Sequence, residues 1–416
     1  MPAEVIVIGC GASGMAAAIA AAREGAHVTV LEKNDRAGKK VFISGKGRCN
    51  VTNDCDTADF FDHVMRGKKF LYSAVYGCDT ARVQRFFEEN GCPLKVERGG
   101  RVFPVSDKSS DIIRTLLRQM EALGVRICFD TRARRLRTEE TREGVRAGGV
   151  ISDTGEAFFA DAVILATGGL SYPLTGATGD GLRMAGEAGH KITECTPSLV
   201  PFETKEAWCR DLQGLSLRNV RLYTEGKKGF DRQGEMLFTH FGVSGPLVLN
   251  ASAYVEDARL PATYYIDLKP GLDEVTLDKR LQREFLLHGK KQFKNSLSSL
   301  FPARLIPVMV GLSQIEKEKS CARITAEERK RFAARIRKVP FTVSKKRGWD
   351  EAIVTRGGVS TADIDPSTMA SRRCRGLYFA GEVMDVDALT GGFNLQIAWS
   401  TGVLAGRHAA HGGSVV

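Results

Sequence analysis

No two cysteines in this chain stand in C-x-x-C spacing. The ten are scattered, at Cys10, Cys49, Cys55, Cys78, Cys92, Cys128, Cys195, Cys209, Cys321 and Cys374. That spacing excludes a zinc ribbon and gives no sign of a disulfide framework, so free thiols in a reducing cytoplasm and no metal site are expected. Long apolar runs are missing too. Nothing approaches the roughly 18 uninterrupted apolar residues of a membrane-spanning helix, and no membrane partner is expected. The N-terminus enters an apolar strand without a basic n-region or cleavage site, so no secretory leader is expected. Aromatic residues make up 8% of the chain, and none of the basic stretches interleaves them in a repeat.

Glycine, by contrast, is plentiful, with 44 residues. The first forty residues use it in a definite order. Val5–Ile8 is a short apolar run, Gly9-Cys10-Gly11-Ala12-Ser13-Gly14 follows, then an alanine-rich stretch to Ala22, Gly25, and His27–Leu31 ending in Glu32. The pattern predicts strand, tight turn, helix, strand. Gly9 turns the chain off the strand, Gly11 lets backbone amides approach a pyrophosphate, and Gly14 lets the helix pack close to the sheet. A diphosphate would sit at the helix N-terminus, where free N–H groups and the helix dipole favour negative charge. Glu32 is placed to accept hydrogen bonds from an adenosine ribose. No second G-x-G-x-x-G occurs, so a separate nicotinamide domain is not indicated.

Further along, Val41–Asn53 reads as a loop wrapped on a ligand rather than a helix, its backbone amides at Ser44, Gly45 and Gly47 close to a cofactor and Arg48 meeting phosphates. Ser106 or Asp107 is expected to cap a helix running to Ala122. Ala162–Leu165 is a buried parallel strand, and Thr167, Gly168 and Gly169 follow at its carboxyl end, where ligands bind in such sheets. From about residue 191 the pattern turns to short strands, and Ser244 is a natural cap for the helix after Pro246. From 272 to 338 the chain is helical and basic. Between Lys279 and Arg347 stand 19 lysines and arginines against five glutamates, a surplus larger than the net +11 of the whole chain. That segment is either a solvated helical face or a docking face for a polyanion such as an acyl-CoA, a nicotinamide dinucleotide or RNA. Near the end, Leu377–Ala380 is a strand leading to Glu382, and Gly391-Gly392-Phe393-Asn394 opens a last helix. Its N-terminal amides would stabilise negative charge on a reduced flavin.

Taken together, Gly9–Gly14, Glu32, Ser44–Asn53, Arg101–Asp107, Ala166–Gly169, Thr175–Gly181, Phe238–Pro246, Ile353–Val359 and Phe379–Gln396 make the chain resemble one family from end to end. It is similar to the BaiN/YhiN-like bacterial flavoproteins, which include 3-dehydro-bile acid Δ4,6-reductase and aminoacetone oxidase. The resemblance implies an α/β fold: a discontinuous Rossmann-type FAD-binding domain interrupted by a β-barrel domain that carries a helical subdomain. Composition breaks near 191, 270 and 345 agree. The expected division is 1–190 with 346–416 for FAD, 191–270 with 339–345 for the barrel, and 271–338 for the basic helical part. By motif position the resemblance implies FAD contacts at Gly9, Gly11, Ala12, Ser13, Gly14, Glu32, Lys33, Lys40, Ser44, Gly45, Gly47, Arg48, Cys49, Asn50, Ala133, Thr167, Gly168, Gly169, Glu382, Phe393 and Asn394.

The chemistry that follows is hydride transfer. The favoured expectation is reduction of a conjugated C=C bond in a 3-oxo-4-ene or 4,6-diene steroid acid, small, anionic or CoA-linked, with NAD(P)H as transient electron donor. Tyr172 and His240, each in a loop rich in small residues, are the candidate proton donors. One alternative is a flavin-dependent amine oxidase of the aminoacetone type that releases hydrogen peroxide. A flavin-dependent RNA-binding or RNA-modifying protein is the other, although a nucleic-acid partner is not expected.

Overall fold

The computed structural model describes residues 1–142, 144–226 and 229–412. The chain forms two compact units, one of Met1–Ser198 with Trp349–Val416 and one of Leu199–Gly348.

The first unit is built on a five-stranded sheet. Its strands are β1 (Glu4–Ile8), β2 (His27–Leu31), β3 (Arg126–Cys128), β4 (Ala162–Leu165) and β5 (Leu377–Phe379). The order is β5-β4-β1-β2-β3 and every pairing is parallel. Val5–Ile8, Ala162–Leu165 and Leu377–Phe379 are buried along their whole length, as strands covered on both faces must be. Helix α1 (Ala12–Arg23) leaves β1, and the last helix, α2 (Phe393–Ala410), packs along it. Two glycines allow this close approach. A Cβ at Gly402 would stand 2.4 Å from the Ser13 carbonyl oxygen, and one at Gly406 would stand 2.2 Å from that of Ala17. Smaller elements surround the sheet. Ala133–Thr141, Gly144–Ser152 and Ala157–Phe159 form an antiparallel meander, and Leu94–Glu97 with Arg101–Pro104 form a hairpin.

The second unit is a closed six-stranded barrel with helices packed on it. Around the barrel run Phe202–Thr204, Gly242–Ser244, Asp231–Thr239, Ser216–Tyr223, Ala262–Asp267 and Val339–Lys346. Leu222, Met236, Phe238, Tyr264, Ile266 and Phe341 are buried in its core. Helices Glu274–Leu287, Ile306–Ser313 and Ala326–Arg337 share that apolar cluster through Leu281, Phe285, Met309 and Phe332. The last is closed at its start by a reciprocal Thr325–Glu328 capping box.

Several local expectations change. The boundary expected at 190/191 falls at 198/199, because Ile192–Ser198 pairs antiparallel with Val354–Val359 and so stays with the first unit. Lys39–Gly47 is helical, with a break at Ser44, Gly45 and Lys46, rather than a plain loop. The helix expected to be capped by Ser106 or Asp107 begins at Ser109 after Lys108, without a side-chain cap. Ser244 ends a strand, and Gly245 precedes the next helix in its place.

Candidate cofactor site

At the carboxyl end of β1 the chain turns sharply. Gly9 has φ +102°, and its N–H donates to the Leu31 carbonyl at 2.9 Å. A Cβ at Gly14 would lie 1.8 Å from the Gly9 carbonyl oxygen, so helix and turn can meet only with glycine there. Gly11, the residue before α1, is different: a Cβ on it would meet nothing within 4 Å. The first turn of α1 therefore faces open space with its N–H groups unspent, which suits a phosphate. That space is a cavity of about 1350 Å³ including its open mouth, wholly within the first unit. It runs past Glu32, Lys40, Ala133, Thr167, Gly168 and Glu382 to Asn394 and Ile397 at the start of α2.

Glu32 is buried and held by its own neighbourhood. Its Oε2 accepts the Cys10 N–H at 2.8 Å, and its Oε1 accepts the N–H and side-chain amide of Asn34 at 2.9 and 2.7 Å. Burial, then the Glu32 charge, pushes the Cys10 thiol far up, so it remains a neutral wall. Beside it, Asp180 accepts from Lys33 Nζ at 3.0 Å and from Arg132 Nη2 at 2.7 Å. Burial alone would raise the Asp180 pKa, but the hydrogen bonds and charges of Arg132 and Lys33 overcome it and bring it down to about 2.

A second carboxylate closes the other end. Glu382 accepts from Lys40 Nζ at 2.5 Å, Ser171 Oγ at 2.8 Å and the Thr355 N–H at 2.6 Å. Burial pushes its pKa up, yet the Lys40 ammonium and these hydrogen bonds outweigh burial and hold it below the usual carboxylate range. Asp387, five residues on, fares otherwise. Arg66 Nε stands 3.8 Å from its Oδ1, and that Oδ1 has no hydrogen-bond partner among the described residues. Burial dominates there and raises its pKa to about 6, against the pull of Arg66 and Arg356.

Of the residues expected to hold FAD, Gly9, Gly11, Ala12, Ser13, Glu32, Lys33, Lys40, Ser44, Ala133, Thr167, Gly168, Glu382 and Asn394 line this cavity. The others stand outside its lining. Gly14 and Gly169 serve close packing; a Cβ at Gly169 would lie 2.2 Å from Thr355 Oγ1. Gly45 sits in the helix break and Gly47 ends the segment, both with positive φ, and Cys49 is fully buried. Asn50 keeps a buried Oδ1 without a partner, the kind of acceptor a ligand N–H satisfies. Arg48 is spent elsewhere. Its guanidinium bonds Glu97 and Asp107 and lies 4.1 Å from the Phe103 ring centroid, an arrangement that replaces the expected phosphate contact. Phe393 stacks on His63 at 4.1 Å within the core. The Asn394 side chain is bonded to Ala388 and Leu389.

Tyr172 is half-buried in a neighbouring hollow with Phe42, Ile43 and Leu174, with left-handed backbone (φ 52°). Burial, and then the Glu351 charge, raises its phenol pKa, so it keeps its proton at neutral pH. His240 belongs to the second unit, exposed in the turn between Asp231–Thr239 and Gly242–Ser244. Cavity residues that the sequence reasoning did not assign include Asn34, Arg132 and Asp180. Only Asp180 carried a signal, standing in the glycine-rich loop before a helix.

The residues present fit an FAD molecule. An open helix N-terminus suits the pyrophosphate, a buried carboxylate at the end of β2 suits the ribose, and a second helix N-terminus lies at the far end of the same cavity. Compared with known proteins, residues 3–408 match the HI0933-like protein Rossmann domain. The chain belongs to that family. This HI0933-like protein is accordingly an FAD-dependent oxidoreductase. It is 30% identical over 410 residues to the 3-dehydro-bile acid delta(4,6)-reductase of Clostridium scindens, covering 97% of this chain and 98% of that one. It is also 30% identical over 400 residues to the ribosomal RNA dihydrouridine synthase of Haemophilus influenzae, covering 96% of each. Among solved structures, 3-ketosteroid delta1-dehydrogenase from Sterolibacterium denitrificans shares the fold, with a TM-score of 0.52 at 16% identity over 98% of this chain and 99% of that one.

Proposed function

We propose that this protein reduces a C=C bond conjugated to a carbonyl group, with NAD(P)H as the electron donor. The observation that carries the reading is the single cavity that joins Gly11 and Glu32 to the start of α2. When bound there, FAD supplies two-electron hydride chemistry. The chain's own part is electrostatic and positional. The first turn of α1 takes the pyrophosphate, Glu32 the ribose, and the start of α2 favours negative charge at its end of the cavity. Lys40 and Ser171 fix Glu382 so that a polar, fully bonded carboxylate borders the site. Tyr172 and His240 are the candidate proton donors to the α-carbon, and Tyr172→Phe and His240→Ala should each slow turnover while flavin content stays constant.

Two substrates share this chemistry. A 3-oxo-4-ene or 4,6-diene steroid acid, free or as its CoA thioester, is the first reading, supported by the similarity to the bile-acid reductase. A uracil in RNA, whose 5,6-double bond is also conjugated to a carbonyl, is the second. One observation favours it. On the second unit Lys279, Arg283, Lys290, Lys291, Lys330 and Arg331 are exposed with no carboxylate within ion-pair distance among the described residues, leaving positive charge that a polyanion could neutralise.

The test is an anaerobic titration of the yellow protein, first with NADH and NADPH, then with candidate steroid enones, uridine-containing RNA and aminoacetone. Bleaching of the flavin band by a nicotinamide and its return on adding an enone or the RNA is the expected outcome. Reoxidation by RNA alone selects the second substrate, with affinity falling steeply as salt rises. Peroxide formation from the amine, with neither an enone nor RNA restoring the band, would overturn the reductase reading.

A further inference from the structure

Further along the same two helices lies a second hollow, of about 810 Å³ with its open mouth, lined from α1, α2, Thr80–Glu89 and Ser109–Ala122. Its wall is apolar: Ile19, Val83, Phe87, Leu116 and Trp399 are all buried. The Trp399 indole N–H is already spent on the Val51 carbonyl at 2.9 Å, and burial pushes the Cys78 thiol up to about 11, so neither offers charge to a ligand. The mouth is the opposite in character. Arg23, Arg82 and Arg407 stand there, exposed, with Glu24 the one acidic residue of the lining.

Glu24 is shared between Arg407 at 3.9 Å and His411 at 3.6 Å. The other two guanidiniums meet only neutral acceptors. Arg23 donates to Gln119 Oε1 at 3.2 Å and lies 5.4 Å from the Phe86 ring centroid, and Arg82 donates to the Gly77 carbonyl at 2.6 Å. Neither has a carboxylate within ion-pair distance among the described residues. A guanidinium left with neutral partners still has N–H groups in a geometry that matches a carboxylate. The lining that holds these groups cannot satisfy a sugar or a nucleobase, because its walls present so few polar atoms.

We infer that this hollow is a binding site for one amphipathic monocarboxylate, its apolar body against Phe87, Leu116 and Trp399 and its headgroup between Arg23 and Arg82. The site shares no residue with the cofactor cavity, so its occupancy is read independently of the reductase proposal.

The experiment is equilibrium dialysis of the flavin-loaded protein with decanoate as the probe and decan-1-ol as its neutral counterpart. One saturable site per chain is expected, with the alcohol binding at least about tenfold more weakly. The Arg23→Gln/Arg82→Gln double variant, changed only at exposed positions, should lose about tenfold in decanoate affinity, and Val403→Trp should fill the hollow and abolish binding. Flavin absorbance verifies that both variants remain folded. Absence of saturable binding, equal binding of acid and alcohol, or decanoate affinity unchanged in the double variant would each overturn the inference.

Discussion

The two ends of the cofactor cavity are built on different physical principles. Around Glu32 the work is done by backbone: a turn that only glycine permits, an open helix start, and a carboxylate fixed by the N–H groups of Cys10 and Asn34. Around Glu382 it is done by charge: an ammonium from residue 40, a hydroxyl from 171 and an amide from 355 converge on one carboxylate. Peptide groups do not titrate, so the glycine turn and the helix start keep their geometry whatever the pH and salt. A charged cluster is tuned by its environment and is correspondingly vulnerable to it. Asp387 shows the limit, since deeper burial without such hydrogen bonds raises an acid's pKa to about 6.

Substitutions can push on either side of this contrast. The largest effect belongs to the backbone-built end. Gly14→Ala puts a Cβ where a carbonyl oxygen now lies 1.8 Å away, so the helix must move; a loss of about 3 kcal/mol and purification without flavin are expected, measured by denaturant unfolding and absorbance. Lys40→Met breaks the charge-built end and strands Glu382. With both side chains partly exposed (30% and 20%), the expected cost is about 2 kcal/mol at neutral pH.

The pH dependence of that cost has a definite sign. In the wild type the Glu382 pKa is lowered, so its contribution is present above the ordinary glutamate range and fades as pH falls through the lowered value. In Lys40→Met burial acts unopposed by the ammonium, and stability should instead improve on acidification. Unfolding curves between pH 4 and 8 check this reversal.

Asp387→Asn sharpens the comparison in the other direction. A carboxyl with its folded pKa raised to about 6 favours folding at low pH and loses that favour as pH rises through 6. The amide should therefore gain about 1–2 kcal/mol at pH 8 and remove the slope between pH 4 and 6. The smallest effect is expected for Arg48→Lys. Its partners are one partly exposed acid, one exposed acid and a phenylalanine face, so no measurable change in the unfolding midpoint or in flavin content should follow.

These contrasts also explain what was legible in the sequence. The roles of Gly9, Gly14 and Glu32 follow from spacing within 24 residues, because strand, turn and helix are local and each glycine has one steric reason. The ion-paired end is assembled from residues 40, 171, 355 and 382, and no local pattern relates them. The bonds of Arg48 escape notice for the same reason: Glu97 and Asp107 lie in and after a hairpin about fifty residues away. Arg132 and Asp180 pair across 48 residues and gave even less warning. In the second unit, Phe341–Val343 is readable as part of a strand that the structure extends to Val339–Lys346. Closure of the barrel depends on pairings such as Ala262–Asp267 with Val339–Lys346, separated by the whole helical segment.

The place of α2 against α1 has a consequence for biosynthesis. Gly402 and Gly406 bring the chain's final helix onto its first, and Asn394 to Ala398 complete a wall of the cavity that Gly9 begins. A nascent chain thus carries a nucleotide-binding turn with one side absent until residues 394–398 have been made. Flavin loading is thereby postponed until that helix has been made, and a chain cut just upstream of residue 393 should purify colourless however well its earlier strands had folded.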